Sequence, residues 1–140
     1  MQSHARVVVI GGGVVGVSAL YHLAKKGWSD VVLLERKELT SGSTWHAAGL
    51  LPLFNMSYSV GQVHKYSVDF YQELQKETGQ DVGFAKVSNI RLAQTQDRMD
   101  EYRQYAGVAA TIGINVEFLT PKQVKEIWPL CNIDGLVGAI

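Results

Sequence analysis

The chain lacks several features that would identify whole classes of protein. It has one cysteine, Cys131, among 140 residues, so it can form neither an intrachain disulfide nor a thiolate metal cluster. Lysine plus arginine and aspartate plus glutamate number 13 each, and the resulting net charge of zero gives no electrostatic basis for binding nucleic acid or an anionic membrane. No run of about 18 apolar residues is present. We therefore expect neither a nucleic-acid partner nor a membrane span.

Two further absences bear on metal binding and on location in the cell. The four histidines, at positions 4, 22, 46 and 64, show no ligand spacing such as HxxxH, so we expect no metal site. The sequence becomes strand-like by Ala5, which leaves no recognisable targeting segment before it. We therefore expect a cytoplasmic protein, with the mitochondrial matrix as the alternative for a chain whose leader has been removed.

What is present begins with a strand, a helix and a second strand in residues 5–36. The run RVVVI (6–10) is apolar and β-branched, which is typical of a strand buried on both faces. Apolar residues at helical spacing follow in VSALYHLAKKG, which ends at Gly27, where a glycine commonly closes a helix. VVLLE (31–35) is a second apolar strand. A crossover of this length is normally parallel and right-handed, so the expected class is α/β.

The glycine-rich segment GGGVVG stands between the first strand and the helix. Gly11, Gly13 and Gly16 have the GxGxxG spacing. The first glycine permits a tight turn, the second lets a pyrophosphate approach the backbone, and the third lets helix and strand pack closely. Amides near Val14 and Val15 would then point at the phosphates from a helix N-terminus. The segment predicts a dinucleotide site, and a purely structural glycine turn is the alternative.

The acidic residue of the predicted site is Glu35, at the end of the second strand. It follows Gly16 by roughly twenty residues, the distance at which a carboxylate accepts hydrogen bonds from the hydroxyls of an adenosine ribose. Its charge also disfavours a cofactor with a 2′-phosphate, although the neighbouring Arg36 weakens that argument. We therefore place both residues at the site and expect FAD or NAD there rather than NADP.

The loop after the second strand, LTSGSTWHAAGLL (39–51), distinguishes between these cofactors. Together with YHLAKKGWSDVVLLER, KETGQDVGF, IRLAQTQDRMDEY and LTPKQVKEIWPL, it resembles the D-amino-acid-oxidase-like amine dehydrogenases, the family of dimethylglycine and sarcosine dehydrogenases. The resemblance covers essentially all 140 residues. It implies an FAD-binding, doubly wound parallel sheet of the Rossmann type. This chain would contain the N-terminal portion of that fold and the start of the substrate-domain elements.

The resemblance also implies roles for the loop residues. In that family the histidine of this loop is bonded covalently to the 8α-methyl group of the flavin, and only His46 matches that position. The small residues around it let the backbone lie against an extended cofactor, and the hydroxyls of Ser43 and Thr44 can bind phosphate. From the residues alone, a His46 that only forms hydrogen bonds is the alternative. The cofactor-binding residues predicted in the loop are Gly42, Ser43, Thr44, Trp45, His46, Ala47, Ala48, Gly49 and Leu50.

The reaction, too, is implied by the resemblance. An N-methyl carbon of a glycine derivative, such as dimethylglycine or sarcosine, would be oxidised by hydride transfer to the flavin. An electron-transfer flavoprotein or oxygen would accept the electrons, and a C-terminal region outside this chain would use tetrahydrofolate. The catalytic residues are expected beyond residue 140. Two alternatives stay open: a nicotinamide-dependent dehydrogenase, and a non-catalytic regulatory relative such as the regulatory subunit of pyruvate dehydrogenase phosphatase.

The rest of the chain alternates predicted helices with predicted strands. The helices are expected at residues 60–78, 97–113 and 121–128. The strands are expected at residues 87–95, 115–119 and from 136 onwards. Asp97 is the predicted N-cap of the middle helix, and the apolar stripe of the first helix is Val63, Tyr66, Phe70 and Leu74. Because LVGAI (136–140) has the composition of a strand, we expect the chain to be the N-terminal part of a longer protein.

Overall fold

The computed structural model describes residues 4–140, which form two compact units, one ending at Leu50 and the other beginning at Leu51. In the first unit, strands β1 (Val7–Ile10) and β2 (Val31–Leu34) flank helix α1 (Val14–Lys25). The two strands pair in parallel along their whole length. The predicted strand–helix–strand crossover is therefore confirmed.

Helix α1 ends in a left-handed turn at Gly27, whose φ is 85°. The N–H of Gly27 donates to the carbonyl of Ala24 at 2.9 Å, and the N–H of Trp28 donates to that of Leu23 at 3.1 Å. These two bonds close a Schellman motif, in which glycine adopts the left-handed conformation without a Cβ clash. The helix therefore stops where the sequence predicts and leads by a short turn into β2.

The second unit combines helices with a short antiparallel pair of strands. Its helices are α2 (Tyr58–Thr78), α3 (Gln96–Ile112) and α4 (Pro121–Ile127), and its strands are β3 (Leu92–Ala93) and β4 (Gly138–Ala139). β3 and β4 pair with each other. The core is formed mainly by buried side chains of α3, which are Met99, Tyr102, Tyr105, Ala109 and Ile112.

Two details of the helices differ from the expectation. The N-cap of α3 is Thr95, whose hydroxyl accepts a hydrogen bond from the N–H of Arg98, and not Asp97. Helix α2 packs against α3 at Gly61, where a Cβ would lie 2.4 Å from Ile112 Cδ1. The missing side chain lets the two helices approach closely. Of the predicted apolar stripe, Val63 and Tyr66 are 62% and 56% exposed, whereas Phe70 and Leu74 are half-buried.

The predicted strands are shorter in the structure. Within residues 87–95 only Leu92–Ala93 form a strand, and within 115–119 only Leu119 forms an isolated bridge, to Ala139. A strand needs a partner for its N–H and C=O groups, and the partner in this unit is the short β4. The strand predicted from residue 136 onwards is present as Gly138–Ala139.

Candidate functional site

The segment between β1 and α1 forms a tight turn that requires glycine. Gly11 has a φ of 105°, and its N–H donates to the carbonyl of Leu34 at 2.8 Å, which joins the turn to the end of β2. A Cβ on Gly16 would lie 1.9 Å from the carbonyl oxygen of Gly11. No other residue therefore allows the helix to begin so close to the strand. Both glycines have the structural roles that the motif predicts.

Glu35 follows β2 directly and is hydrogen-bonded to the glycine turn. Its Oε2 accepts from the N–H of Gly12 at 2.7 Å, and its Oε1 accepts from the N–H of Lys37 at 2.9 Å. These two backbone donors, Gly12 above all, lower the pKa of Glu35 below its ordinary value. Each oxygen accepts one bond here, so each keeps a lone pair for a ligand hydroxyl.

Gly12 supports the position of Glu35, although the sequence motif leaves this residue variable. Besides its bond to Glu35, it has no room for a side chain, because a Cβ there would lie 2.6 Å from Leu39 Cδ2. The run of three glycines at this point was the available signal. The spacing rule GxGxxG treats this residue as variable, so the motif alone does not predict a role for Gly12.

Helix α1 begins without a capping side chain of its own, because its N-cap residue is Gly13. The hydroxyl of Thr44 takes this role and accepts the hydrogen bond from the N–H of Val14 at 2.9 Å. The Val14 amide, which we expected to face a phosphate, is thus occupied by loop 39–51. Within residues 4–140 the N–H groups of Val15 and Gly16 have no acceptor, so these amides remain available at the helix end.

Loop 39–51 is held mainly by hydrogen bonds of its own backbone. Ser43–His46 form a 3₁₀ turn, in which the N–H of Trp45 donates to the carbonyl of Gly42 at 3.2 Å. The Nδ1 atom of His46 lies 3.0 Å from the carbonyl oxygen of Gly42. Because a carbonyl only accepts, Nδ1 carries the proton, and Nε2 holds the lone pair. The His46 side chain is exposed, so this lone pair is accessible.

The glycine turn, the end of β2 and loop 39–51 surround a groove of about 650 Å³. The predicted site residues that line it are Gly11, Gly13, Val14, Val15, Gly16, Glu35, Arg36, Gly42, Ser43, Thr44 and Ala47. The residues that line it without having been predicted are Val9, Ile10, Ala19, Lys37, Thr40 and Ser41. Their only sequence signal is their position beside the motifs. The predicted residues that do not line it are Trp45, His46, Ala48, Gly49 and Leu50.

The groove has the donors and acceptors that a dinucleotide requires. It combines amides at a helix N-terminus, the hydroxyl of Thr44 and the carboxylate of Glu35, on walls of small residues. Among residues 4–140 there is no group of three or more histidine, cysteine, aspartate or glutamate side chains that could hold a metal ion. Nor is any helix in that part of the chain long and apolar enough to cross a membrane.

A parallel strand–helix–strand unit, with a glycine turn before the helix and an acidic residue after the second strand, defines a dinucleotide-binding fold. The chain belongs to the family of FAD-dependent oxidoreductases named DAO, whose sequence profile matches residues 6–140. The fold class expected from the sequence is therefore confirmed.

Individual relatives agree with this assignment. The chain is 43% identical over 139 residues to mitochondrial dimethylglycine dehydrogenase of Rattus norvegicus, which is 99% of this chain and 16% of the relative. Mitochondrial sarcosine dehydrogenase of Homo sapiens is 40% identical over 141 residues, which is 100% of this chain and 15% of that protein. The mitochondrial pyruvate dehydrogenase phosphatase regulatory subunit of Mus musculus is 41% identical over 140 residues, covering 100% of this chain and 16% of the subunit.

A solved structure shows the same fold. The crystal structure of L-proline dehydrogenase from P. horikoshii superposes with a TM-score of 0.90 at 27% identity, covering 99% of this chain and 36% of that one. The chain thus spans about a sixth of the length of the curated relatives that it matches.

Proposed function

We propose that the chain forms the cofactor-binding N-terminal region of an FAD-dependent enzyme that oxidises an N-methyl carbon of a glycine derivative, such as dimethylglycine or sarcosine. The observation that carries the proposal is the groove between the glycine turn, Glu35 and loop 39–51. Membership of the FAD-dependent family supports the cofactor. The relatives named for dimethylglycine and sarcosine support the substrate class.

The residues around the groove would each hold a different part of FAD. Glu35 would accept hydrogen bonds from the ribose, since each of its oxygens keeps a lone pair. The amides of Val15 and Gly16, with the hydroxyls of Ser43 and Thr44, would bind the pyrophosphate. When bound, the flavin supplies the hydride acceptor, and the protein orients it. The other residues proposed to contact it are Gly11, Gly13, Val14, Arg36, Gly42, Trp45, His46, Ala47, Ala48, Gly49 and Leu50.

We also infer that His46 forms the covalent bond to the flavin. The hydrogen bond from Nδ1 to the carbonyl of Gly42 holds the imidazole ring in one orientation and fixes the position of its proton. Nε2 would then bond to the 8α-carbon as a C–H bond of the methyl group breaks. The proton would leave to solvent, and the electron pair would pass to the flavin ring, which the electron acceptor would reoxidise. A flavin attached in this way cannot dissociate.

Acid precipitation of the full-length protein tests the covalent bond. We expect the yellow colour to stay in the pellet, and mass spectrometry to find the flavin on the peptide that contains His46. His46→Ala should release the flavin into the supernatant while the protein stays folded. The control His64→Gln, on helix α2, should retain it. A wild-type peptide with unmodified His46, from protein that carries its flavin elsewhere, would contradict the assignment.

A second candidate function is non-catalytic regulation, because the regulatory subunit of pyruvate dehydrogenase phosphatase is as similar to the chain as the dehydrogenases are. Electron transfer from dimethylglycine or sarcosine to an artificial dye distinguishes the two functions. FAD-loaded full-length protein that transfers no electrons from either amine would favour the regulatory role. A nicotinamide-dependent dehydrogenase is disfavoured, since the family is FAD-dependent.

Three further features belong to the proposal for the whole protein. Its electron acceptor would be an electron-transfer flavoprotein or oxygen, and release of hydrogen peroxide during turnover identifies oxygen. A separate region would transfer the one-carbon product to tetrahydrofolate. If so, adding tetrahydrofolate during turnover should suppress the release of formaldehyde. The names of the two dehydrogenase relatives favour mitochondria over the cytoplasm, and fractionation of the native cells decides between them.

A further inference from the structure

Arg91, in the second unit, is a half-buried cation without an anionic partner in the part of the chain that the structure describes. It precedes β3, and its backbone is fixed by two hydrogen bonds to Ile140, at 2.9 and 3.1 Å. Its guanidinium lies 4.0 Å from the centroid of the Phe54 ring. The Nε atom is buried and has no hydrogen bond. Removing a guanidinium from water is unfavourable unless an anion or other acceptors replace the lost hydration.

Arg91 differs in ion pairing and in exposure from the two arginines on the surface of helix α3. Arg98 pairs with Glu101, and Arg103 pairs with Asp100, both one helical turn apart on the exposed surface of α3. Such pairs contribute little to stability and stay largely in solvent. Within residues 4–140, no aspartate or glutamate lies within ion-pair distance of Arg91. Arg91 is thus the arginine of residues 4–140 that is partly removed from water, and it has no acid to pair with there.

The neighbouring aromatic residues do not satisfy Arg91. The hydroxyl of Tyr105 donates to the carbonyl of Leu53, and the hydroxyl of Tyr102 donates to that of Leu92, both at 3.0 Å. Phe54 covers one face of the guanidinium, so its hydrogen-bonding capacity lies in the plane of the group. A planar acceptor with two oxygens matches such an edge, because two parallel N–H···O bonds form in that plane.

We propose that Arg91 binds a carboxylate that residues 4–140 do not supply. The carboxylate belongs either to the amino-acid-like substrate or to an aspartate or glutamate elsewhere in the protein. The first source rests on the proposed function, whereas the second does not. In both cases Phe54 holds the guanidinium in place and the two N–H groups of one edge bind the two oxygens.

The test compares Arg91→Gln and Arg91→Lys with the wild type in the full-length holoprotein, and Arg103→Gln on the exposed face of α3 is the control. Binding of dimethylglycine and of N,N-dimethylethanolamine, which has no carboxylate, is followed through the flavin absorbance without turnover. If the carboxylate comes from the substrate, Arg91→Gln weakens dimethylglycine binding by about tenfold or more, the scale of a lost charge-assisted bond, and leaves dimethylethanolamine binding unchanged. The affinity of Arg91→Lys for dimethylglycine should then lie between those of the wild type and Arg91→Gln.

If the carboxylate comes from the protein, Arg91→Gln instead lowers the melting temperature, and ligand binding is unaffected. An arginine partner depresses the pKa of a carboxyl group in the folded state. The difference in melting temperature between the wild type and Arg91→Gln is therefore largest near neutral pH and disappears as the pH falls through that pKa. The ionisable neighbour of Arg91 is the phenol of Tyr105, whose pKa burial raises, so it stays neutral over this range.

The remaining outcomes overturn the proposal. One is an Arg91→Gln protein that matches the Arg103→Gln control in both ligand binding and stability. The other is a loss of stability that is equal at all pH values, which would reflect only lost packing on Phe54. Should Arg91→Gln not fold, the same two readouts on Arg91→Lys decide, since lysine keeps the charge but lacks the planar edge. Failure of amine turnover does not affect the stability measurement, so it is distinguishable from failure of this inference.

Discussion

The two units of the chain hold their shape in different ways. In the second unit, α3 places Tyr105, which is 3% exposed, and Ala109, which is fully buried, in a continuous core. In the first unit, α1 buries none of its residues, and Ile10 is 85% exposed. The first unit is shaped instead by hydrogen bonds between distant residues, from the glycine turn to Glu35 and to Thr44. The unit with the groove therefore depends on a few polar contacts, and the other unit depends on apolar burial.

The largest effect is expected from removing a side chain of the apolar core. Tyr105→Ala deletes a buried ring that packs on Phe54 at 4.1 Å between centroids and donates to Leu53. We expect a loss of about 3–5 kcal/mol in the free energy of unfolding. Urea unfolding followed through the fluorescence of Trp128 measures it. Tyr58→Ala, at an exposed tyrosine, is the matched control, and similar losses in both variants would show that burial does not dominate this unit.

In the first unit, a comparable test removes one charge without removing volume. Glu35→Gln places an NH₂ group against one of the two backbone donors that the carboxylate now binds, those of Gly12 and Lys37. It also weakens the bonds proposed for the ribose, so we expect the affinity for FAD to fall by about tenfold or more. Titration of apo-protein with FAD measures this. Glu38→Gln, three residues further on, should leave the affinity unchanged, and an unchanged affinity in Glu35→Gln itself would remove Glu35 from the ribose site.

The same carboxylate predicts a dependence on pH. The pKa of Glu35 is lowered below 4.5 in the folded protein, mainly by the N–H of Gly12. Its contribution to stability is therefore complete above the unfolded pKa of 4.5 and is lost as the pH falls through the lower, folded value. The difference in unfolding midpoint between the wild type and Glu35→Gln should shrink in this acidic range. If the difference in unfolding midpoint stays constant from neutral to acidic pH, the ionised carboxylate does not stabilise the glycine turn.

The smallest expected effect concerns the start of α1. Thr44→Val keeps the shape of the side chain but removes the oxygen that accepts from Val14 N–H. We expect a loss of about 1 kcal/mol, the usual effect of removing an N-cap acceptor. Denaturant unfolding of the FAD-free protein is the measurement, and Thr44→Ser, which keeps a hydroxyl, should restore most of the loss. If Ser and Val behave alike, the hydroxyl does not cap the helix.

The parts of the fold that the sequence predicts are those whose causes are local. The apolar β-branched runs of β1 and β2, the glycines at 11 and 16 and the stop at Gly27 each contain their reason within a few neighbouring residues. The strand expected at 87–95 is shorter in the structure, because its length depends on pairing with β4, which only the folded chain provides. Likewise, the apolar stripe of α2 does not predict that this helix contacts α3 at Gly61.

The candidate site divides in the same way. The position of the motif glycines and of Glu35 along one groove follows from the sequence, because their spacing is the one that a dinucleotide requires. The bond from Val14 to Thr44 does not, since it joins residues 30 apart in the sequence and no local pattern pairs them. Gly12 was visible as a third glycine, but its reason, the contact with Leu39 and the bond to Glu35, exists only in three dimensions.

The bond between Thr44 and Val14 has a consequence for how the groove receives its ligand. Because Thr44 of loop 39–51 caps helix α1, a hydrogen bond supplied by the chain itself joins the two walls of the groove and fixes their spacing. A ligand that enters a preorganised groove does not lose affinity to the entropy of ordering two flexible loops. The two motifs are also coupled, since the side chain of Thr44 caps a helix end that lies 30 residues earlier in the sequence.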